Sequence, residues 1–116
     1  MESLRILLIA SFVLTACTRA PTGPEPVCFP KRPSDKKLMA PEKKALAQSQ
    51  QRVAKRCAST DTQCGYSVRT QPDGTIAVGV TFAVLDGEPR KCVWIIGDHH
   101  IDLYTKGHLA RTLPGM

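Results

Sequence analysis

From Tyr66 onward the chain alternates in polarity. Tyr66, Val68 and Thr70 fall on one side, Ser67 and Arg69 on the other, a period of two that predicts a strand. After the turn signal Pro72-Asp73-Gly74, the apolar residues Ile76, Val78, Val80, Phe82 and Val84 recur at every second position. They predict a long strand with one apolar face. Asp86-Gly87-Glu88-Pro89 marks the next turn. Cys92 to Ile96 is apolar at successive positions, which predicts a central strand covered on both faces and ended by Gly97-Asp98. Ile101 to Tyr104 and Leu109 to Leu113, split by Lys106-Gly107, read as a fourth strand and a fifth strand or tail. Upstream the period changes. Pro41-Glu42 suits a first helical turn, and residues 41 to 57 carry a narrow stripe of Leu46, Val53 and Cys57 with Ala54, with Lys55 and Arg56 at the C-terminal end. So thin a stripe requires a sheet to lie on, and Trp94 is expected to pack the helix onto it. The expected fold class is α+β: one N-terminal helix on a three- to five-stranded antiparallel meander, after a proline-rich tail.

The N-terminus follows another pattern. Arg5 precedes an apolar run, Ile6 to Val13, that is too short to span a bilayer, and the small residues Thr15 and Ala16 follow. An ordinary signal peptide and a membrane helix are the alternatives for such a segment. The stretch Leu14-Thr15-Ala16-Cys17 resembles the lipobox of bacterial lipoproteins. That resemblance implies removal of residues 1–16, a lipid on the Cys17 sulfur and an acylated Cys17 amino group. Two or three acyl chains make desorption negligible, at about 0.8 kcal/mol per buried methylene. Because Thr18 is not the aspartate that retains enterobacterial lipoproteins in the inner membrane, the resemblance further implies the periplasmic face of the outer membrane. Pro21, Pro24, Pro26, Pro30 and Pro33 punctuate the sequence after Cys17, so residues 17–37 read as an extended tether and 38–116 as a small domain.

Removing residues 1–16 takes away Glu2 and Arg5 and leaves the net charge at +6. The mature chain is small enough for covalent staples to matter. Apart from Cys17 it holds Cys28, Cys57, Cys64 and Cys92, an even number in an exported chain, which predicts two disulfides with three possible pairings. Cys57 with Cys64 is favoured because they flank a short polar loop, and Cys28 with Cys92 would fasten the tail to the sheet. A cysteine–histidine metal site is the rival use. There is no C-x-x-C pair, and His99, His100 and His108 lie in a different segment, so no metal and no cofactor is expected.

Nine basic residues lie between Lys31 and Arg56 against only Asp35 and Glu42. Such a block suits an anionic polymer or an acidic partner; as the outer face of a helix it would simply be solvated. Without an aromatic ladder it does not suggest nucleic acid. His99 and His100, beside Asp98 and Asp102, are expected in a hairpin loop, where adjacent residues cannot easily share one metal ion. No G-x-S-x-G elbow and no glycine-rich phosphate loop is present, and nothing in the spacing pairs Ser67 or Thr81 with His99, so no catalytic residues and no small-molecule substrate are expected. The residues expected to meet a protein partner are Asp98, His99 and His100, replaceable with little loss of stability, and Asp86, Glu88 and Arg90 of the preceding turn.

Residues 41 to 113, a helix followed by a meander with Asp-Gly turns and the late Val93-Trp94-Ile95 strand, are similar to small cystatin-like folds. These include nuclear-transport-factor-like immunity proteins and the peptidase-propeptide domain of bacterial envelope proteins. The resemblance implies a non-catalytic periplasmic binding module, an inhibitor or immunity protein. A structural part of an envelope or secretion complex is the competing expectation.

Overall fold

A computed structural model describes residues 25–115. The expected signal peptide and lipidation site lie outside them. Strand β1 (Thr62–Thr70), β2 (Ile76–Asp86), β3 (Lys91–Thr105) and β4 (His108–Pro114) form one antiparallel sheet in the order β1-β2-β3-β4. Helix α1 (Ala40–Arg52) and a final turn α2 (Ala54–Cys57) pack across one face. The α+β class is as expected. The expected single helix 41–57 is instead broken at Val53, which leaves helical geometry at φ −108° and ψ 9° before the turn bonded through Cys57 to Cys64.

Two strands expected to be separate are one. The residues Cys92–Ile96 and Ile101–Tyr104 both belong to β3, because Gly97-Asp98 does not reverse the chain. Trp94 pairs with Ala83 and His99 with Thr81, so Ile95, Ile96, Gly97 and Asp98 stand opposite the single residue Phe82. This is a large β-bulge. Gly97 takes φ 85°, a left-handed conformation that costs glycine little, and the chain then resumes pairing with the same neighbour. His99 and His100 are therefore strand residues, not loop residues.

The core lies between helix and sheet, where Val68, Ile76, Val78, Val80, Phe82 and Tyr104 meet Ala45, with Leu38, Leu46, Val53 and Cys57 at its margin. Alternation puts Ile76, Val78, Val80 and Phe82 on the helix side, as expected. On α1 the fully covered positions are Ala45 and Ser49, while Ala54 of the expected stripe is exposed. Glu42 ties down the start of α1: its carboxylate accepts from the Met39 N–H (2.9 Å) and from the Thr70 hydroxyl (2.9 Å) at the end of β1. In the β1–β2 turn, Asp73 accepts from the Thr75 N–H at 2.9 Å, and that bond holds its carboxyl below the ordinary aspartate range.

The expected tether through residue 37 is attached to the sheet from its first described residues. Glu25 ion-pairs with Arg90 at 2.6 Å, Cys28 is bonded to Cys92, and the Cys28 N–H donates to Gln63 Oε1 at 3.0 Å. Phe29 then lies so close over Gly65 that a Cβ there would run into its ring, and its edge meets Trp94 with ring centroids 6.3 Å apart. Further on, the Pro33 carbonyl accepts from the Val68 N–H at 3.0 Å. Ala83 and Leu85 are buried on this second side of the sheet. Trp94 thus packs against the tail, away from the helix, contrary to expectation. An odd number of extra residues in the bulge separates its parity from that of the helix-facing His100, Asp102 and Tyr104.

Candidate functional site

Polar groups gather in three places. The first is sealed between α1 and the sheet. The Ser49 hydroxyl donates to Asp102 Oδ2 at 2.7 Å and stands 2.6 Å from the Tyr104 hydroxyl. Since the serine proton goes to the carboxylate, the tyrosine is the donor to the serine. Thr112 donates to Asp102 Oδ1 at 2.7 Å, and Arg52 approaches Oδ2 at 3.7 Å while donating to the Thr112 hydroxyl at 3.3 Å. Ser49 and Asp102 are both fully buried. Burial pushes the Tyr104 phenol above its ordinary pKa; the Ser49 bond opposes the shift, and the Asp102 charge adds to it. His100 Nε2 lies 3.7 Å from Asp102 Oδ1 and makes no hydrogen bond among the described residues.

Serine, histidine and aspartate side by side invite a comparison with nucleophilic catalysis. The order is wrong for it. A histidine must stand between hydroxyl and carboxylate to take the serine proton; here the carboxylate stands between Ser49 and His100, and the hydroxyl already donates to it. What this arrangement can do is fix helix to sheet.

A second ion-paired cluster sits at the bulge. The Arg56 guanidinium lies 3.7 Å above the Phe82 ring and bonds Asp98 Oδ2 at 2.5 Å, while the His100 ring is tilted against Phe82 with centroids 5.9 Å apart. Bulging turns Asp98 back toward the helix. The expected contact set is thereby divided. Asp98 and His100 face the helix side and are engaged there; His99 points to the opposite face and is exposed. In the β2–β3 turn, Asp86 and Glu88 are exposed, but Arg90 is committed to Glu25, to the Thr60 carbonyl at 2.7 Å and to Asp61 at 3.0 Å. Two of the basic residues assigned to a solvated helix face, Arg52 and Arg56, are likewise turned to the sheet.

The remaining place is the sheet face opposite α1. A shallow groove runs there between Ser34 and Asp35 of the tail and Ser67, Gly79, Thr81 and His99 of the strands. Thr81 stands directly across from His99, and Ser67 across from Gly79. The small residues at 77, 79 and 81 keep this face flat. Of the residues expected to meet a partner, His99 and His100 border the groove, and of these two His99 is the exposed one. Sequence reasoning missed the groove because its lining is spread over three strands and the tail. Among the described residues no three histidine, cysteine, aspartate or glutamate side chains are placed to hold a metal ion, and no helix is long and apolar enough to cross a membrane. No family model, curated protein or solved structure matches this chain.

Proposed function

We propose that this chain is a lipid-anchored periplasmic lipoprotein that acts as a non-catalytic protein-binding module, an inhibitor or immunity protein in kind. The observation that carries the reading is the uncovered sheet face: a flat groove of small and hydroxyl-bearing side chains ending at His99, held rigid by a disulfide on either side of the sheet. Rigid hairpin support with exposed donors and acceptors suits the cleft of a target enzyme, since little freedom is lost on binding. The order of elements, one helix and then an antiparallel meander, agrees with the cystatin-like resemblance. The lipobox resemblance at Cys17 supplies the anchor, and Thr18 favours the periplasmic leaflet of the outer membrane. The polar groups buried under α1 are arranged for packing, which favours a binding role over catalysis.

The competing role, a structural part of an envelope or secretion complex, would use the proline-rich tail as its docking strand. The segment from Glu25 to Pro33 is already engaged with its own sheet, which leaves that role less free chain to offer.

Affinity isolation from solubilised envelopes tests the proposal. Recovery of one soluble hydrolase whose activity falls on binding, with recovery reduced by His99→Ala and Thr81→Arg, is the expected result. Recovery of a multi-component assembly unaffected by these substitutions would favour the structural role.

A further inference from the structure

Four consecutive large apolar side chains on β3 stand in solvent: Val93, Trp94, Ile95 and Ile96 are 42%, 54%, 56% and 95% exposed. β4 pairs only with His100 to Thr105, so the outer edge of β3 before His100 carries no strand among the described residues. The charges that flank the stretch are unequal. Asp98 is taken up by Arg56, while Lys91 is exposed. An exposed apolar stretch with a tryptophan in it and an exposed lysine at its start has the composition of an interfacial membrane contact.

The path of the tail says what covers this cluster. Glu25 is held by Arg90, Cys28 by Cys92 and Phe29 by Trp94, so the chain joins the domain at the end of the sheet that bears the exposed stretch. Only Thr18 to Pro24 separate Cys17 from Glu25. Even fully extended, at about 3.5 Å per residue, that connection reaches roughly 28 Å. We propose that Trp94, Ile95 and Ile96 form a second membrane contact, seated in the headgroup region of the same bilayer that the Cys17 lipid enters. The inference rests on the lipid-anchor reading above. A connection this short holds the patch at a millimolar effective concentration over the bilayer, so a contact far too weak to bind alone is largely made. A second copy is a poorer occupant, because the uncovered edge, Lys91 to His99, offers nine residues where a stable interface uses about 20 a side.

Trp94 is the single tryptophan, so its fluorescence reports the patch directly. The lipidated protein, purified from membranes, is reconstituted into vesicles of phosphatidylethanolamine and phosphatidylglycerol with or without brominated acyl chains. Expected are a blue-shifted emission, quenching by the bromines, and iodide quenching lowered about threefold relative to the detergent-free chain lacking the lipid. Ile95→Ser with Ile96→Ser, at exposed positions, should restore iodide access while the protein stays vesicle-bound through Cys17 and its melting temperature holds. The mass of the N-terminal peptide reports acylation separately. If Cys17 proves unacylated, the anchor reading fails, and coupling its thiol to a maleimide lipid in the same vesicles supplies the tether by which Trp94 still decides the contact. Full iodide access in tethered protein overturns the inference. So does protection without bromine quenching, which would assign the patch to a second copy or a protein partner.

Discussion

The Ser49 hydroxyl gives its proton to Asp102 across the boundary between helix and sheet, 2.7 Å away and out of contact with solvent. Ile101 and Leu103, the apolar neighbours of Asp102, point to the open face instead. β3 is thus apolar where it could be wet and charged where it is dry, and α1 is seated by a polar chain running Tyr104 to Ser49 to Asp102. A hydrophobic stripe alone permits a helix to slide or rotate on a sheet. A buried carboxylate that must find its donors does not.

Removing the carboxylate should therefore cost more than removing a methyl-sized contact. Asp102→Ala strands Ser49, Thr112 and Arg52 together and is expected to lower unfolding free energy by about 3 kcal/mol, read from urea denaturation. Ser49→Ala should cost about 1.5 kcal/mol, and the double variant clearly less than the sum, since both changes break one network. Strict additivity would mean that the two residues do not act together.

Asp98 has a different role from its neighbour His99. With Arg56 stacked on Phe82 and bonded to it, Asp98→Ala should destabilise by about 1 kcal/mol, for the pair is only partly shielded from water. His99→Ala should leave the melting temperature unchanged. Charge reversal at Lys43, Lys44 and Lys55 should alter only association rates and their salt dependence. Reversal at Arg56 should also lower stability, as thermal melts of the separate variants would reveal.

Burial keeps the Tyr104 phenol neutral above its ordinary range, and burial does the same for Tyr66. The unfolded chain then releases these protons first, so their contribution to stability is complete below about pH 10 and falls as pH rises through the folded-state values. Alkaline unfolding in Tyr104→Phe should have a shallower pH dependence than in the wild type, because one of the two titrating groups is gone. An unchanged slope in a pH series of denaturation midpoints would contradict the assignment.

The alternating residues of β1 and β2 made the sheet legible, since a strand with one buried face must repeat every second position. The cysteine pairing was also legible, from loop length and from the need to fasten a tail. The bulge was not. Gly97-Asp98 carries the chemistry of a chain-reversing turn, and only the pairing on both sides of it with β2 shows that the strand continues. The misplacements of Asp98, His100 and Trp94 follow from this, whereas that of Arg90 follows from the attachment of the tail at Glu25. Asp98 and His100 went inward with the change of parity, and Trp94 went to the opposite face. Ser49 and Asp102 carried no local signal either, because a buried polar pair 53 residues apart is specified only by the fold.

The two disulfides should contribute unequally. Chain entropy alone gives about 2.5 kcal/mol for the Cys57–Cys64 loop and about 4 kcal/mol for the Cys28–Cys92 loop, whose cysteines are 7 and 64 residues apart in sequence. The second figure is an upper value for the domain. With that bond absent, Gln63 still accepts from the Cys28 N–H and donates to the Pro26 carbonyl at 2.7 Å, and Pro33 still pairs with Val68, so the tail is loosened rather than freed. Losing the Cys57–Cys64 bond instead releases the turn α2 that carries Arg56, and with it the stacking on Phe82. Replacing Cys28 and Cys92 together by serine should open residues 25–33 to limited proteolysis while leaving the near-ultraviolet signal of the helix–sheet core in place. Replacing Cys57 and Cys64 should broaden the thermal transition of that core itself. If proteolysis of the first variant cuts within β1 as readily as within the tail, the Cys28–Cys92 bond supports the whole sheet.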